Sequence, residues 1–339
     1  MFAFAKKSVK RSLSLMASKS AEIWKIQTLN QLRYKFNALR EGIEINKSEK
    51  TVLFSLRRNI HRLEKGLSYP TAKSVFAEDY IRTTVKLLDI GLRANQLDQY
   101  TIGWATSVLY LYFQVVQETS ITKQAKLQFD EILLQLGDEY KKDHVPYLSS
   151  KRPALNISYD ALMDLSIRRR SVRYFEDRKV DLNIIQQAYD IAKYAPSACN
   201  RQSFQFLFYN EKELVDKLSN VPGGVAGYTL PAVIVVVGRY DGYFDVRDIN
   251  APVIDASLST MSFLYAAETL GLGTVCINWP NLPDREKKIR RLIDIRPHEF
   301  VIMMIGLGYP LDAGKIPYSA KRPNENVLLF NERIKNNSI

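Results

Sequence analysis

Ala232-Val233-Ile234-Val235-Val236-Val237 decides the fold of this chain: six consecutive apolar residues, five of them β-branched. A short run of that chemistry reads as a strand covered on both faces. Working outward, β-rich runs recur at Phe204–Tyr209, Thr274–Ile277 and Phe300–Ile305, with helical patterns at Leu182–Lys193, Glu211–Leu218, Pro252–Leu270 and Arg285–Ile293. Strands alternating with helices predict a sheet flanked by helices, α/β or α+β. Pro252–Leu270 is long and mostly uncharged, with Asn250 as a candidate N-cap and Pro252 in the first turn. Its small residues, Ala256, Ser259, Ser262, Ala266 and Ala267, let another helix approach closely. That pattern suits either the centre of a dimer or the core of a monomer.

The first 140 residues read differently. Apolar residues recur at helical spacing in Val52–Leu63, Val75–Leu92, Ile102–Val116 and Leu127–Leu136, and no strand stands out. Asp79 and Asp98 sit near expected helix starts, Gly91 and Gly137 near ends, and Tyr69-Pro70 separates two helices. His61-Arg62-Leu63-Glu64-Lys65-Gly66-Leu67 reads as a charged helix end closed by Gly66, with no chemistry attached. Gln99–Gln117 holds no charged residue over nineteen positions, but its Gln, Thr, Ser, Gly and Tyr content favours a packed helix over a membrane span. Asp143–Pro153 reads as a linker. The expected organisation is a helical N-terminal domain over 1–142, a linker over 143–156 and a sheet domain over 157–339.

Composition bounds the function. With 46% apolar and 25% charged residues among 339, the chain is globular rather than disordered. Two cysteines, Cys199 and Cys276, exclude a disulfide framework and a Cys-rich metal site, and three widely spaced histidines argue against a metal enzyme. The cysteine pattern suits a reducing, cytoplasmic setting. Either cysteine could suggest thiol chemistry; the plainer reading is a small buried side chain. Residues 1–40 carry nine basic residues and one acid, a net +8 of the chain's +12. Such an arm fits an anionic membrane surface or an acidic partner, with the enzyme peripheral at the membrane, or simply a solvated helix; no specific nucleic acid is indicated. The apolar stretch Met1–Ala5 is too short for a secretory signal, and a mitochondrial-type presequence matches in charge alone.

Three segments could carry chemistry. Arg168-Arg169-Arg170-Ser171-Val172-Arg173 puts four guanidinium groups and a hydroxyl together, and such forks match phosphate oxygens. Ala195-Pro196-Ser197-Ala198-Cys199-Asn200-Arg201-Gln202 offers amides that suit a heterocycle edge, or a simple turn. Gly271-Leu272-Gly273 closes a helix, and the following strand delivers Asn278-Trp279-Pro280 to its carboxyl end.

In this order and spacing the segments resemble the FMN-dependent nitroreductase family over roughly residues 157–330. The resemblance rests on Arg169-Arg170-Ser171-x-Arg173-x-Phe175, Ala195-Pro196-Ser197-x-x-Asn200-x-Gln202, Asp255 through Ala266-Ala267 to Gly271-Leu272-Gly273, Ile305-Gly306-Leu307-Gly308-Tyr309-Pro310, and Lys321-Arg322-Pro323. It implies an α+β fold, a mixed sheet flanked by helices, here preceded by an all-helical domain. It also implies a homodimer binding FMN across the subunit interface, with NAD(P)H as donor and a quinone- or nitro-type acceptor. Arg169 and Ser171 should hold the FMN phosphate with Lys321 or Arg322, and Arg170 should lie beside them. Arg173 should reach the pyrimidine edge. Pro196, Ser197, Asn200 and Gln202 should come from the other subunit, and Asn278, Trp279 and Pro280 should flank the ring near N5. In this family the flavin N5, not a side chain, carries the chemistry. Two departures stand out: Ser203-Phe204 replaces the usual Pro-Trp, and Asn278-Trp279 stands where Gly is common, so that Trp279 is expected to narrow or stack on the flavin face. The alternative function is a flavin-binding scaffold that docks a partner or membrane with little turnover.

Overall fold

The computed structural model describes residues 2–48, 51–70, 73–137, 143–223 and 228–330, with side chains from residue 23 onward. Four strands, β1 (Phe204–Tyr209), β2 (Ala232–Arg239), β3 (Gly273–Asn278) and β4 (Glu299–Gly308), form an antiparallel sheet in the order β1-β2-β4-β3. A parallel bridge between Ser171 and Thr274 extends the β3 edge and makes the sheet mixed there.

The run that opened the reading is the first part of β2. Ala232, Ile234 and Val236 enter one apolar core, and Val233, Val235 and Val237 enter another on the opposite face. The first core is closed by α7 (Leu182–Ala192) and α9 (Ala251–Thr269). The second is closed by α8 (Lys212–Ser219) and α10 (Pro283–Leu292). Each Val or Ile so buried contributes roughly 1.5–3 kcal/mol, which fixes the strand's position at the centre of an α+β sandwich. α9 is not buried all round: Ile254, Leu258 and Met261 form an exposed apolar row along one side. α6 (Tyr159–Arg168), capped by Ser158 Oγ, packs on α9 through the Ser166–Tyr265 hydroxyl pair at 3.0 Å.

The helices before residue 140 pack in two pieces. α2 (Leu53–Leu67), α3 (Ile81–Arg93), α4 (Gln99–Val115) and α5 (Ser120–Leu136) share one core built on Leu56, Ile60, Leu63, Leu88, Val108, Leu109, Tyr112 and Phe129. Asp98 caps α4 by accepting from the Thr101 N–H at 2.8 Å, and a capping box between Thr119 and Thr122 starts α5. α3 begins at Ile81 rather than Val75, because Ala77 turns left-handed at φ 66° and spends residues 73–80 on a turn. Gly66 lies inside α2 instead of closing it; the Phe76 ring stands 2.4 Å from where a Cβ would be. α1 (Phe2–Lys47) leaves the bundle. Its Tyr34, Ala38, Leu39 and Ile43 pack on Tyr240, Tyr243 and Phe300 of the sheet half. Gly42 permits this approach, since a Cβ there would lie 2.4 Å from the Tyr240 backbone. The arm before residue 23 lies outside the described side chains. Among the described residues no helix is long and apolar enough to cross a membrane.

Candidate active site

α6 ends at Arg168, whose Nε pairs with Glu268 of α9 at 3.0 Å. From there the chain runs along the open edge of β3. The Val172 N–H donates to Thr274 O at 3.0 Å, and further on the Glu176 N–H donates to Tyr309 O at 2.9 Å. Three cations and a hydroxyl, Arg169, Arg170, Ser171 and Arg173, are thereby laid half-buried beside one strand. Arg173 donates to the Ser171 carbonyl at 3.2 Å. Arg169 lies near Cys276, which the strand's alternation turns outward; burial pushes that thiol's pKa up, opposed by the Arg169 charge. A raised pKa speaks against a thiolate nucleophile. The Arg169 Nε is buried with no hydrogen-bond partner among the described residues. A buried guanidinium donor held unpaired at an open edge is suited to an oxyanion.

The second segment precedes β1. Cys199, Asn200 and Gln202 all adopt left-handed backbone, at φ 54°, 49° and 54°. Such conformations are costly for residues other than glycine and persist only where the surroundings enforce them. The enforcement is visible. Asp255 of α9 accepts the Ala198 N–H at 3.0 and 3.1 Å, and the Tyr243 hydroxyl donates to the same carboxylate at 3.1 Å. Burial raises the Asp255 pKa, and those two hydrogen bonds pull against it. Ser197 Oγ accepts the Gln202 N–H at 3.2 Å, and the Gln202 amide donates to Lys193 O at 3.1 Å. From the helical half, the Arg57 guanidinium donates to Asn200 O at 3.0 Å. Pro196 is exposed; Ser197, Asn200 and Gln202 are half-buried.

β1 and β3 are the two edges of the sheet. The loop 195–202 leads into the start of β1 and the segment 169–173 flanks the start of β3, so the register places them at opposite edges and opposite ends of the sheet. One chain does not close a single pocket from both.

At the end of β3, Asn278 is exposed and Pro280 half-buried, but Trp279 is only 2% exposed. The Trp279 ring lies in the core and not on the exposed face of the strand end. The alternation that turns Cys276 and Asn278 outward sends Val275, Ile277 and Trp279 into the core. The indole N–H donates to Glu286 at 2.5 Å, and the same carboxylate accepts from the Tyr34 hydroxyl at 2.9 Å. Arg290 also donates to the Tyr34 hydroxyl. Burial first, then the Glu286 charge, push the Tyr34 pKa up to about 12. A cavity of about 460 Å³ opens beside this network between α1 and α10. Lys321 and Arg322 lie in an exposed C-terminal extension, where Arg322 bonds Asn326 O at 3.0 Å.

The model of the nitroreductase family matches residues 167–225 and 224–309, which span both segments and the end of β3. A protein of Methanothermobacter thermautotrophicus named "Putative NADH dehydrogenase/NAD(P)H nitroreductase" is 32% identical over 150 residues, 42% of this chain and 74% of its own. The chain belongs to the nitroreductase family. An Archaeoglobus fulgidus protein with the same name is 33% identical over 145 residues, 42% of this chain and 82% of its own. A crystal structure of a protein of that name from Parabacteroides distasonis is 25% identical, covering 50% of this chain and 96% of that one at a TM-score of 0.44. The nitroreductase match begins at residue 167, so α1 to α5 lie outside it. Arg57, whose Asn200 contact bridges 143 residues of sequence, gave no signal in the sequence. Asp255 stood within a motif, but its role as the loop's anchor became visible only with the fold.

Proposed function

We propose that this oxidoreductase binds FMN as a homodimer and passes electrons from NAD(P)H to a small quinone- or nitro-type acceptor. The observation that carries the reading is the β3 edge: Arg169, Ser171 and Arg173 aligned, with the Arg169 Nε buried and unpaired. Bound FMN supplies the redox chemistry, accepting and donating hydride at N5. Arg169 and Ser171 hold the phosphate, Arg170 adds charge beside them, and Arg173 faces the pyrimidine edge, where its charge favours the reduced flavin. Asn278 and Pro280 flank the ring with the Trp279 backbone. Pro196, Ser197, Asn200 and Gln202 serve the flavin of the partner subunit, consistent with their distance from the β3 edge of their own chain. Donor and acceptor then use one open face in turn, a ping-pong cycle. With the Trp279 ring in the core, that face is not narrowed by the indole, which favours turnover over a scaffold role. The residues divide as a helical unit, a linker over 143–156 and a flavin unit from 157. The basic part of α1 holds the enzyme peripherally at an anionic membrane surface.

The expected result is a yellow purified protein whose flavin band bleaches with NADH or NADPH and returns with a quinone or nitroaromatic. Arg169→Ala with Ser171→Ala removes charge-assisted hydrogen bonds of about 1.5–3 kcal/mol each, so FMN affinity should fall about a hundredfold or more. Full FMN retention by that variant after dialysis overturns the phosphate assignment.

A further inference from the structure

A second cluster of guanidinium groups lies away from the β3 edge, where the helical bundle meets the sheet half. A cavity of about 300 Å³ is lined there by Lys47, Thr51, Arg58, Arg62, Tyr80 and Phe244, among others. The Arg58 guanidinium rests 4.7 Å from the Phe244 ring centroid, and that of Arg62 3.6 Å from the Tyr80 centroid. Stacking holds both forks in place while leaving their N–H edges free to donate. The Arg201 guanidinium lies 5.6 Å from the same Phe244 centroid, and Arg247 is close enough to act electrostatically on Arg58.

The charge there is poorly balanced. Arg62 meets Asp79 at 3.6 Å, but that carboxylate is 76% exposed; Arg201 meets Asp248 at 3.5 Å. Arg58 pairs with no carboxylate among the described residues, and its own pKa is lowered by burial and by Arg62, Arg201 and Arg247. Two polar atoms are buried without a partner: Thr51 Oγ1 in the lining and Arg201 Nε behind it. Gathering like charges and leaving donors unpaired costs stability unless an anion completes the site.

We propose that this junction cavity is a binding site for a phosphate dianion, free or as a small phosphomonoester, held by Arg58 and Arg62 with Lys47 and Thr51. Two forks and one ammonium around a small space match a doubly charged tetrahedral oxyanion better than a single carboxylate. The site is also linked to the flavin-site loop. Arg57, the neighbour of Arg58 on α2, holds the Asn200 carbonyl, and the Cys199 thiol is within electrostatic range of Arg58. An anion seated here stiffens the helix that fixes the strained loop 198–202. The His61–Leu67 segment, which had no chemistry in the sequence, belongs to the same helix and contributes Arg62 to the cavity.

The test uses the full chain loaded with FMN, so that the flavin-phosphate site is already filled. Inorganic phosphate is titrated at constant ionic strength, with binding read by calorimetry and thermal midpoint, and flavin content by absorbance. Saturable binding is expected. Arg58→Gln with Arg62→Gln should weaken it about tenfold or more at unchanged flavin content. Sulfate should compete and acetate should not. A phenyl phosphate arm separates the sources: tighter binding than inorganic phosphate assigns the site to a phosphomonoester, and equal binding to the free anion. If the double variant does not fold, Arg58→Lys keeps the charge and loses the fork, and binding should still weaken. Absence of saturable phosphate binding, or equal affinity in these variants and the parent, overturns the proposal. If the protein holds no flavin, the same titration compared with Arg169→Ala still tells the two sites apart.

Discussion

His298 is 5% exposed, and neither ring nitrogen has a hydrogen-bond partner among the described residues. Its Nε2 stands 3.6 Å from Asp241 and 3.9 Å from Glu299, carboxylates already engaged by Arg239. Burial lowers the imidazole pKa, more than the two carboxylates raise it, and Arg239 and Arg296 lower it further. The folded protein therefore prefers the neutral ring, whereas the unfolded chain protonates near about pH 6.5. The stability this contributes is present above that pH and is lost as pH falls toward the depressed folded value. Urea unfolding should show stability declining below about pH 6.5, by at most about 1.4 kcal/mol per pH unit from this residue, and His298→Gln should flatten the decline. Identical slopes would place the acid sensitivity elsewhere. At this scale the sequence was legible where chemistry is local. The Arg169–Arg173 cluster lies together because it is contiguous, and Asn278 faces outward as a strand end should. The burial of the Trp279 ring was not legible, because its side of the strand depends on register, which residue type alone does not reveal.

β1 to β3 and helices α7 to α10 fall within two residues of their sequence patterns, while β4 runs three residues further, to Gly308, and α6 had no range in the sequence reading. α1 is the exception among elements. Its mixture of charges and apolar residues yields no clean face, and a helix of 46 residues has no counterpart in the expected bundle. Trp24, Ile26, Leu29, Leu32 and Phe36 stay exposed, and among the described side chains Tyr34, Ala38, Leu39 and Ile43 dock. A helical arm of about thirty residues is roughly 45 Å long. Full-length protein should bind vesicles containing anionic lipid, each nearby cation adding about 1 kcal/mol, with steep weakening as salt rises. Deleting residues 2–30, which spares Tyr34, Ala38 and Leu39, should abolish that binding and leave flavin content unchanged. Indifference of the full-length protein to such vesicles, with capture by an acidic protein surface instead, would assign the arm to a partner.

For the whole molecule, α9 exposes Ile254, Leu258 and Met261, and α6, which packs on α9 at Ser166–Tyr265 and Arg168–Glu268, exposes Leu162, Met163 and Ile167. A self-complementary apolar face of this kind suits an isologous pair, in which each copy lends its 195–202 loop to the other's β3 edge. Light scattering should report twice 39.0 kDa with flavin bound, and no dissociation on dilution. Leu258→Arg should shift the mass toward one chain and release FMN, because a charge there is buried in the pair. A single-chain mass with FMN retained would overturn this arrangement. The two-part plan was legible because strand and helix periodicities separate near residue 150. The junction was not, because its contacts join residues far apart in sequence. One of those contacts, Arg57 to the Asn200 carbonyl, joins a part of the chain made early to one made late. The bundle of α2 to α5 has its own core and leaves the ribosome before residue 200 is made. The loop therefore meets Arg57 first and Asp255 only once α9 has been made, so its left-handed turns are clasped in two steps, one hand from each half of the chain.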